Sequence, residues 1–283
     1  MIAYCIKTQA GRSRGEGTID ASRKALDHWI AQRKQPWVAA MEATLFTGWI
    51  HDHLKPHARE IKIAHPLMLK AITAAKKKND RDDAEKLADL LRTGLLPECY
   101  MAPTEMRNLR RVLRYRNLLV RESTRMKNKI AGLFMEVGAE YDKDKLHGKR
   151  YFTQLLRSLE DVPTSVVEMA RHSREFLELF TRLQTKLIRG LKQNFLLSER
   201  VRLLMTIDGV GEIGALTWAL EIGDPLRFRS RRQAISYCGL CGAQEESAGK
   251  TKRTPISKQR NKHLQTMLIE LAKIAPGHSP YLA

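Results

Sequence analysis

Short apolar stretches alternate with helical periodicity over residues 1–100 of the chain. The predicted strands are Ile2–Thr8, Trp37–Met41 and Glu60–Ala64, the last of which is ended by Pro66. Between the strands, the spacing of apolar residues predicts helices over Ala21–Arg33 and Thr44–Leu54, and the glycines of Gly11–Gly17 predict a turn. Continuous apolar runs are typical of buried parallel strands. The alternation therefore predicts an α/β domain over residues 1–100.

Residues 101–199 have a long helical periodicity instead. One highly charged helix is predicted from Thr104 to about Phe134, and a second from Ser165 to Leu191. In the second helix, apolar residues recur at four- and three-residue steps, which predicts a coiled-coil-like seam. The seam consists of Phe176, Phe180, Leu183, Leu187 and Leu191. We expect two long antiparallel helices that pair either within the chain or with a second copy.

Residues 200–283 are predicted to form a mainly α domain that opens with a helix-hairpin-helix-like element. The helices Leu203–Ile207 and Ile213–Leu220 are joined by a short turn that contains Gly209 and Gly211. Such hairpins expose backbone N–H groups that can hold a phosphate, although many ordinary turns have the same sequence. Between Arg227 and Lys262 there are ten Lys or Arg and only two acids.

The charge of the whole chain indicates an anionic partner. Fifty Lys and Arg oppose 31 Asp and Glu, which gives a net charge of +19. Nucleic acid is the commonest partner of such a protein. No apolar stretch is long enough to cross a bilayer, so we expect a cytoplasmic protein with reduced cysteines. Cys238 and Cys241 form a C-x-x-C without a second pair, which indicates two thiols near a turn rather than a zinc site.

Three carboxylates are candidates for a metal site. Asp80 and Asp83 are three residues apart at the start of a predicted helix, so both project from nearly one face, whereas Asp82 falls on the far side. Acids in a first helical turn are also favoured by capping and by the helix dipole. Glu42 follows a buried strand, where α/β folds place functional side chains. Together, Glu42, Asp80 and Asp83 would form an oxygen-only cluster suited to Mg²⁺.

A polar loop over Gln244–Lys250 contains the candidate nucleophile Ser247. Nearby cations could stabilise the non-bridging oxygens of a phosphodiester, and Gly249 permits close approach of the backbone. A serine in a loop is more often a turn residue. Ser257 is equally plausible as a nucleophile on these grounds, although capping of the final helix explains it better.

Several segments of the chain resemble one family, the DEDD transposases of IS110 insertion sequences. The resemblance extends in order and spacing from one end of the chain to the other, which is more specific than any single motif. The resembling segments are Met41–Thr44, Asn79–Ala88, Ile207–Gly211, Phe228–Gln233, Tyr237–Leu240, Glu246–Gly249 and Ile256–Lys258.

The resemblance implies an RNase H-like (Holliday-junction-resolvase-like) domain over residues 1–100, a coiled coil over 101–199 and a serine transposase domain over 200–283. By position, it implies that Glu42, Asp80 and Asp83 are three of four Mg²⁺ ligands and that Ser247 bonds covalently to DNA. It further implies a structured bridge RNA that selects target and donor DNA, and a homodimer or homotetramer with shared sites in the bacterial cytoplasm, at the nucleoid. We expect the phosphates to contact Gly209, Gly211, Arg227, Arg231, Lys250, Lys252, Arg253 and Lys258.

The chain departs from the family pattern in three places. The family's first acidic ligand lies on a strand before the one that opens this chain, and neither Glu16 nor Asp20 replaces it. The chain stops at residues 280–283, before the helices expected after the serine region. Leu45 and Phe46 follow the Glu-Ala-Thr motif where a glycine is usual. These departures predict a copy shortened at both ends, with an incomplete carboxylate site.

The sequence leaves three functions to be compared. The first is a DNA recombinase that uses Mg²⁺ and Ser247 to form a phosphoserine link. The second is a metal-dependent junction nuclease that hydrolyses DNA with water and needs no serine. The third is a protein that binds nucleic acid through its basic surface but cannot cut.

Overall fold

The computed structural model describes residues 1–72, 79–247, 249–256 and 260–279. These residues form two compact units, Met1–Thr104 and Glu105–Ala283. Within the second unit, helices from the predicted coiled-coil region and from the predicted transposase region share one apolar cluster, which contains Leu113, Leu191 and Leu216. The division of the second unit into two domains remains a prediction.

The first unit opens with an antiparallel strand pair. β1 (Ile2–Lys7) pairs with β2 (Ser13–Ile19), with Ile2 opposite Ile19. The prediction of a turn through Gly11–Gly17 was wrong, because most of that segment belongs to β2. The sequence of β2 is largely polar and largely exposed, so its extended conformation depends on backbone pairing with β1 rather than on an apolar face.

A parallel strand pair follows, as the α/β pattern predicts. β3 (Val38–Glu42) pairs with β4 (Glu60–Ala64) in a register that sets Val38 opposite Glu60. Parallel strands require a crossover connection, and this connection contains α2 (Thr47–Leu54). The predicted bounds of β4 are confirmed to the residue. β3 lies one residue later than predicted, so it includes Glu42 as its last residue.

Three further helices complete the first unit: α1 (Arg23–Ala31), α3 (Pro66–Ile72) and α4 (Asp80–Arg92). Helix α4 packs against both β1 and β3. In one contact, the Lys7 Nζ donates to Asp89 Oδ2 at 2.6 Å. In the other, the leucines of α4 pack with Ala40 of β3 and Ala64 of β4. Among the described residues, β1 pairs only with β2 and β3 only with β4.

Two long helices dominate the second unit. They are α5 (Thr104–Glu136) and α7 (Thr164–Lys192), and α6 (Lys149–Ser158) lies between them in the chain. One apolar cluster joins Phe134 to Ala170, and the other joins Leu113 to Leu191. The helices therefore pack in antiparallel orientation within one chain, one of the two arrangements that the sequence leaves open.

The buried stripe of α7 differs from the predicted seam. Leu191 is buried as predicted, but Phe176 is 52% exposed, although its ring stacks on that of Phe180. The structure instead buries Val166, Ala170, Ser173 and Leu177. Two of these residues are small, which lets the backbones of neighbouring helices approach closely. An apolar periodicity alone does not distinguish such a stripe from an adjacent one.

The remaining elements of the second unit follow α7 in the chain. They are α8 (Phe195–Leu204), α9 (Glu212–Ile222), α10 (Arg231–Cys238), β5 (Gly242–Ser247), β6 (Lys250–Ile256) and α11 (Lys262–Ile274). Nearly every residue of α9 from Gly214 onward is buried, so this helix forms the centre of the second unit. Within the described ranges, no helix is long and apolar enough to cross a membrane.

Candidate functional site

The carboxylate of Glu42 lies at the carboxyl end of β3. The backbone carbonyl of Glu42 accepts a hydrogen bond from Thr47 Oγ1 at 2.8 Å, and Thr47 Oγ1 in turn accepts from Thr44 N at 2.7 Å. These bonds fix the turn between β3 and α2. The Glu42 side chain is exposed, and among the described residues no hydrogen bond or ion pair engages it. The carboxylate is therefore free to bind a cation.

Asp80 and Asp83 lie in the first turn of α4. Asn79 caps this helix, with its side chain accepting from Arg81 N at 3.0 Å. The Asp80 carboxylate is exposed, whereas Asp83 faces Lys86 at 3.9 Å. Since Asn79 supplies the cap, the two aspartates are not needed for that task. Their oxygens remain available as metal ligands.

The three predicted ligands are not assembled into a metal-binding group in this structure. Within the described part of the chain, no three His, Cys, Asp or Glu side chains lie close enough to hold a metal ion. The donor chemistry nevertheless suits a hard divalent cation, because all three candidates supply carboxylate oxygens. Helix α4 packs against β3 through leucines that lie further along the helix than Asp80 and Asp83. The ligand assignment remains a prediction.

Ser247 lies at the tip of a β-hairpin, not in the polar loop that the sequence predicts. β5 and β6 are antiparallel, with Ser247 opposite Lys250. Gly249 has φ +75°, which glycine adopts without strain in a two-residue hairpin turn. The sequence did not predict these strands, because they pair through backbone hydrogen bonds and have exposed polar side chains. Such strands lack the apolar pattern from which strands are predicted. The hairpin presents Ser247 and Lys250 to solvent.

The predicted phosphate-binding residues fall into separate groups. Arg231, Lys250 and Arg253 have exposed side chains. Lys252 pairs in register with Glu245, and Lys258 lies outside the described residues. Arg227 differs from the others, because its guanidinium stacks 4.0 Å from the Phe228 ring centroid and its Nε donates to the Ile222 carbonyl. We therefore assign Arg227 mainly to holding the end of α9.

The two predicted hairpin glycines have different surroundings. Gly209 has φ +80°, and a Cβ there would lie 3.0 Å from the Cα of Ala275. Close packing therefore explains this glycine without any phosphate. Gly211 is the N-cap of α9 and provides no capping side chain. Its role in binding nucleic acid remains a prediction.

Cys238 and Cys241 lie on either side of the turn that follows α10. All four cysteines are free, and Cys238 is buried at the end of α10. Burial raises the pKa of the Cys238 thiol above its ordinary value, while the charge of Arg227 partly opposes this shift. A buried thiol with a raised pKa is unreactive, and Cys238 packs in the apolar cluster with Ile222 and Leu264.

The sequence interpretation missed a buried carboxylate in the second unit. Glu221 is fully buried in α9, and Arg114 of α5 donates to both of its oxygens at 2.8 and 2.7 Å. Asn261 donates to the same carboxylate at 2.8 Å. A signal was present, because Glu221 is an isolated acid in the apolar stretch Ile213–Ile222. A charge in such a stretch requires a buried partner.

The position of Gly239, just before β5, requires a glycine. Gly239 has φ +71°, and a Cβ there would lie 2.4 Å from the Cβ of Arg260. Gly249 has a similar φ, but nothing lies within 4 Å of its Cβ position. We expect Gly239→Ala to lower the free energy of unfolding by about 2–5 kcal/mol, from backbone strain plus overpacking. Gly249→Ala should cost about 1–2 kcal/mol, from strain alone. Denaturant unfolding of both variants measures this, and equal losses would contradict it.

Comparison with known proteins gives two family matches. Residues 2–138 match the DEDD transposase domain of IS110 elements, and residues 201–283 match the Transposase IS116/IS110/IS902 family. A putative transposase, y4qE, of Sinorhizobium fredii is 27% identical over 278 residues, which are 96% of this chain and 67% of the relative. The probable family 20 transposase of Pseudomonas aeruginosa is 24% identical over 240 residues, 84% of this chain and 71% of the relative. The transposase for insertion sequence element IS1328 of Yersinia enterocolitica is 23% identical over 239 residues, with the same coverage.

Proposed function

Because the chain belongs to the IS110/IS116/IS902 family of transposases, we propose that it cuts and rejoins the DNA of an insertion sequence through Ser247. The family has a DEDD domain at its N-terminus, which implies an RNase H-like fold and the use of a divalent metal, commonly Mg²⁺. The observation that carries the proposal is the exposed Ser247 at the hairpin tip, opposite Lys250, within the part matched to the transposase family.

In the proposed reaction, Ser247 Oγ attacks a phosphodiester phosphorus. A serine–phosphate bond forms, the bond from phosphorus to the leaving deoxyribose oxygen breaks, and the serine proton passes to a base while the leaving oxygen gains one. A second strand's hydroxyl then displaces the serine and restores it. The exposed Lys250 and Arg253 would hold the phosphate oxygens.

A bound divalent cation would supply charge stabilisation to the phosphate oxygens. Glu42, Asp80 and Asp83 are the residues that would hold it, since all three are carboxylates placed on adjoining elements of the first unit. The fourth acid that the family resemblance implies is not assigned to a residue of this chain.

We further propose that a structured guide RNA selects the DNA and that two or more copies assemble around it. The supporting observation is the strong basic excess of the chain, +19, which exceeds what phosphate contacts of a single hairpin require. Base pairing would then provide the sequence selectivity, while the protein contacts backbones.

A second function is binding without cutting. It is favoured by one observation, the lack of an assembled metal-binding trio among the described residues. A denaturing gel of the full chain with end-labelled DNA, with and without Mg²⁺ and RNA from the element, separates the functions. The proposal predicts a metal-dependent, detergent-stable protein–DNA adduct. Cut DNA without any adduct would indicate a water-using nuclease, and uncut, salt-sensitive complexes would indicate binding alone.

The exposed cations of the hairpin should contribute to salt-dependent DNA binding. Each contact between a cation and a phosphate of duplex DNA contributes about 0.9 to the slope of log K against log salt. We expect Lys250→Ala and Arg253→Ala each to lower the slope by about that amount. Lys24→Ala, an exposed lysine of α1, is the control and should leave the slope unchanged. Fluorescence anisotropy at several salt concentrations measures this, and an equal effect of all three variants would contradict it.

A further inference from the structure

Glu221 joins four elements of the second unit. Its carboxylate, on α9, accepts two hydrogen bonds from Arg114 of α5 and one from Asn261, the residue that caps α11. The backbone carbonyl of Glu221 accepts a hydrogen bond from the hydroxyl of Tyr237, on α10, at 3.2 Å. Because this carboxylate is buried and hydrogen-bonded to several elements, a change in its position also displaces the groups that are bonded to it.

The carboxylate of Glu221 is ionised at neutral pH. Burial raises the pKa of this group, but the hydrogen bonds and charge of Arg114, with the Asn261 bond, outweigh burial and hold the pKa below its ordinary value. The negative charge strengthens each bond that the carboxylate accepts.

Asn261 contacts the segment that leads into the serine hairpin. Its backbone N–H donates to the carbonyl of Tyr237, which precedes Gly239 and β5, at 3.1 Å. Its Oδ1 accepts from the N–H groups of His263 and Leu264, which begins α11. Its Nδ2 is thereby directed to Glu221.

A second bond holds the same segment. The Gly239 carbonyl, just before β5, accepts from Gln265 Nε2 of α11 at 2.6 Å. The residues that lead into β5 are therefore held to the start of α11 at two points, Tyr237 by Asn261 and Gly239 by Gln265.

We propose that Glu221 is a positioning residue that sets the direction of the serine hairpin through its bond to Asn261. The inference rests on the proposed function of Ser247. Glu221 touches no reacting atom, and its effect on the reaction passes through Asn261 and Tyr237 to the residues that lead into β5 and so to the hairpin tip.

The position of α9 is held by other bonds as well, so it depends less on the Glu221 carboxylate than the direction of the hairpin does. Arg110 Nε donates to the Leu220 carbonyl at 2.5 Å, and Arg200 Nη1 donates to the Gly223 carbonyl at 2.8 Å. These bonds hold the end of α9 independently of the Glu221 side chain. The side chain of Arg114 is 45% exposed, so water can solvate its charge when the carboxylate is neutralised.

An exchange of the two side-chain groups tests the proposal in the full chain. Glu221→Gln weakens the bond, because it removes the charge and sets an amide NH2 group against a donor of Arg114 or Asn261. Asn261→Asp breaks it by placing two carboxylates together. The double variant restores a bond between an amide and a carboxylate with the positions exchanged, and Asp retains the cap of α11. Glu212→Gln is the control, since Glu212 is also on α9 and pairs with Lys192 at 2.8 Å.

Three readouts are needed: the rate of adduct formation, the dissociation constant for DNA, and hydrogen exchange of residues 242–256 in the free protein. We expect each single variant to slow adduct formation and to raise hairpin exchange about tenfold to a hundredfold, with DNA affinity within about twofold of the parent. The double variant should recover most of both losses, and Glu212→Gln should lose neither.

Unchanged hairpin exchange in both single variants would overturn the proposal, as would a double variant no better than the singles. Adduct rates that follow melting temperature in all four variants would also overturn it, because they would indicate stability alone. If the parent forms no adduct, the proposed function of Ser247 fails. The exchange data then still decide whether Glu221 positions the hairpin.

Discussion

Replacing Ser247 by alanine should abolish the covalent protein–DNA adduct. The variant lacks the oxygen that forms the serine–phosphate bond, so the adduct should fall by at least about a thousandfold. Folding should be unaffected, because Ser247 is exposed at the hairpin tip and substitutions at such places change stability little. A denaturing gel of labelled DNA measures the adduct.

Ser257→Ala is the control for this experiment. Ser257 is the other serine that the sequence offers as a nucleophile, and it lies outside the described residues. We expect this variant to keep the adduct. If Ser257→Ala abolishes it and Ser247→Ala does not, the wrong serine has been assigned. DNA that is cut equally well by both variants without any adduct would identify a water-using nuclease.

Removal of one carboxylate from α4 should produce the second large effect. A metal ion contributes several kcal/mol of charge stabilisation to phosphoryl chemistry. Asp80→Asn and Asp83→Asn should therefore each slow adduct formation by roughly a hundredfold or more, since about 1.4 kcal/mol corresponds to tenfold. Glu42→Gln should have a similar effect. Each variant should also weaken Mn²⁺ binding measured by calorimetry.

Asp82→Asn is the matched control on the same helical turn. Asp82 is exposed next to Asp83 but points to another face of α4. It interacts with the helix dipole as its neighbours do, so any general loss of helix stability appears in all three variants. We expect normal Mn²⁺ binding and adduct formation for Asp82→Asn. A loss as large as that of Asp80→Asn would indicate an effect of charge alone and would contradict the ligand assignment.

The strands and helices of the first unit were predictable where an apolar face is buried. The strand Glu60–Ala64 is the clearest case, because Ile63 and Ala64 are buried and Ala64 packs with leucines of α4. β2 and the serine hairpin were not predictable in this way. Their side chains are largely polar, and the partner strand, which local periodicity does not reveal, determines their conformation.

The seam of α7 illustrates a different limit. Apolar residues occur on two adjacent stripes of this helix, and only tertiary packing decides which one is buried. The choice depended on small residues such as Ala170 and Ser173, which have little weight in a hydrophobicity pattern. The antiparallel packing of the two long helices was correctly anticipated.

The residues proposed for the reaction could be identified from the sequence. The residues that hold them in position could not. Glu42 and Ser247 occur in motifs that resemble the family. Glu221 does not, and its partners Arg114 and Asn261 are 107 and 40 residues away in the chain. Contacts of this separation arise only from the fold. An isolated acid in an apolar helix indicates that a partner exists but not which one.

In the proposed reaction, Ser247 becomes covalently bonded to DNA. Tandem mass spectrometry of the protease-digested adduct measures this most directly, because it locates the nucleotide on a single residue. We predict a nucleotide phosphate on Ser247, formed only when a divalent metal is present. A nucleotide on Ser257, on another serine or on no residue at all would contradict the account.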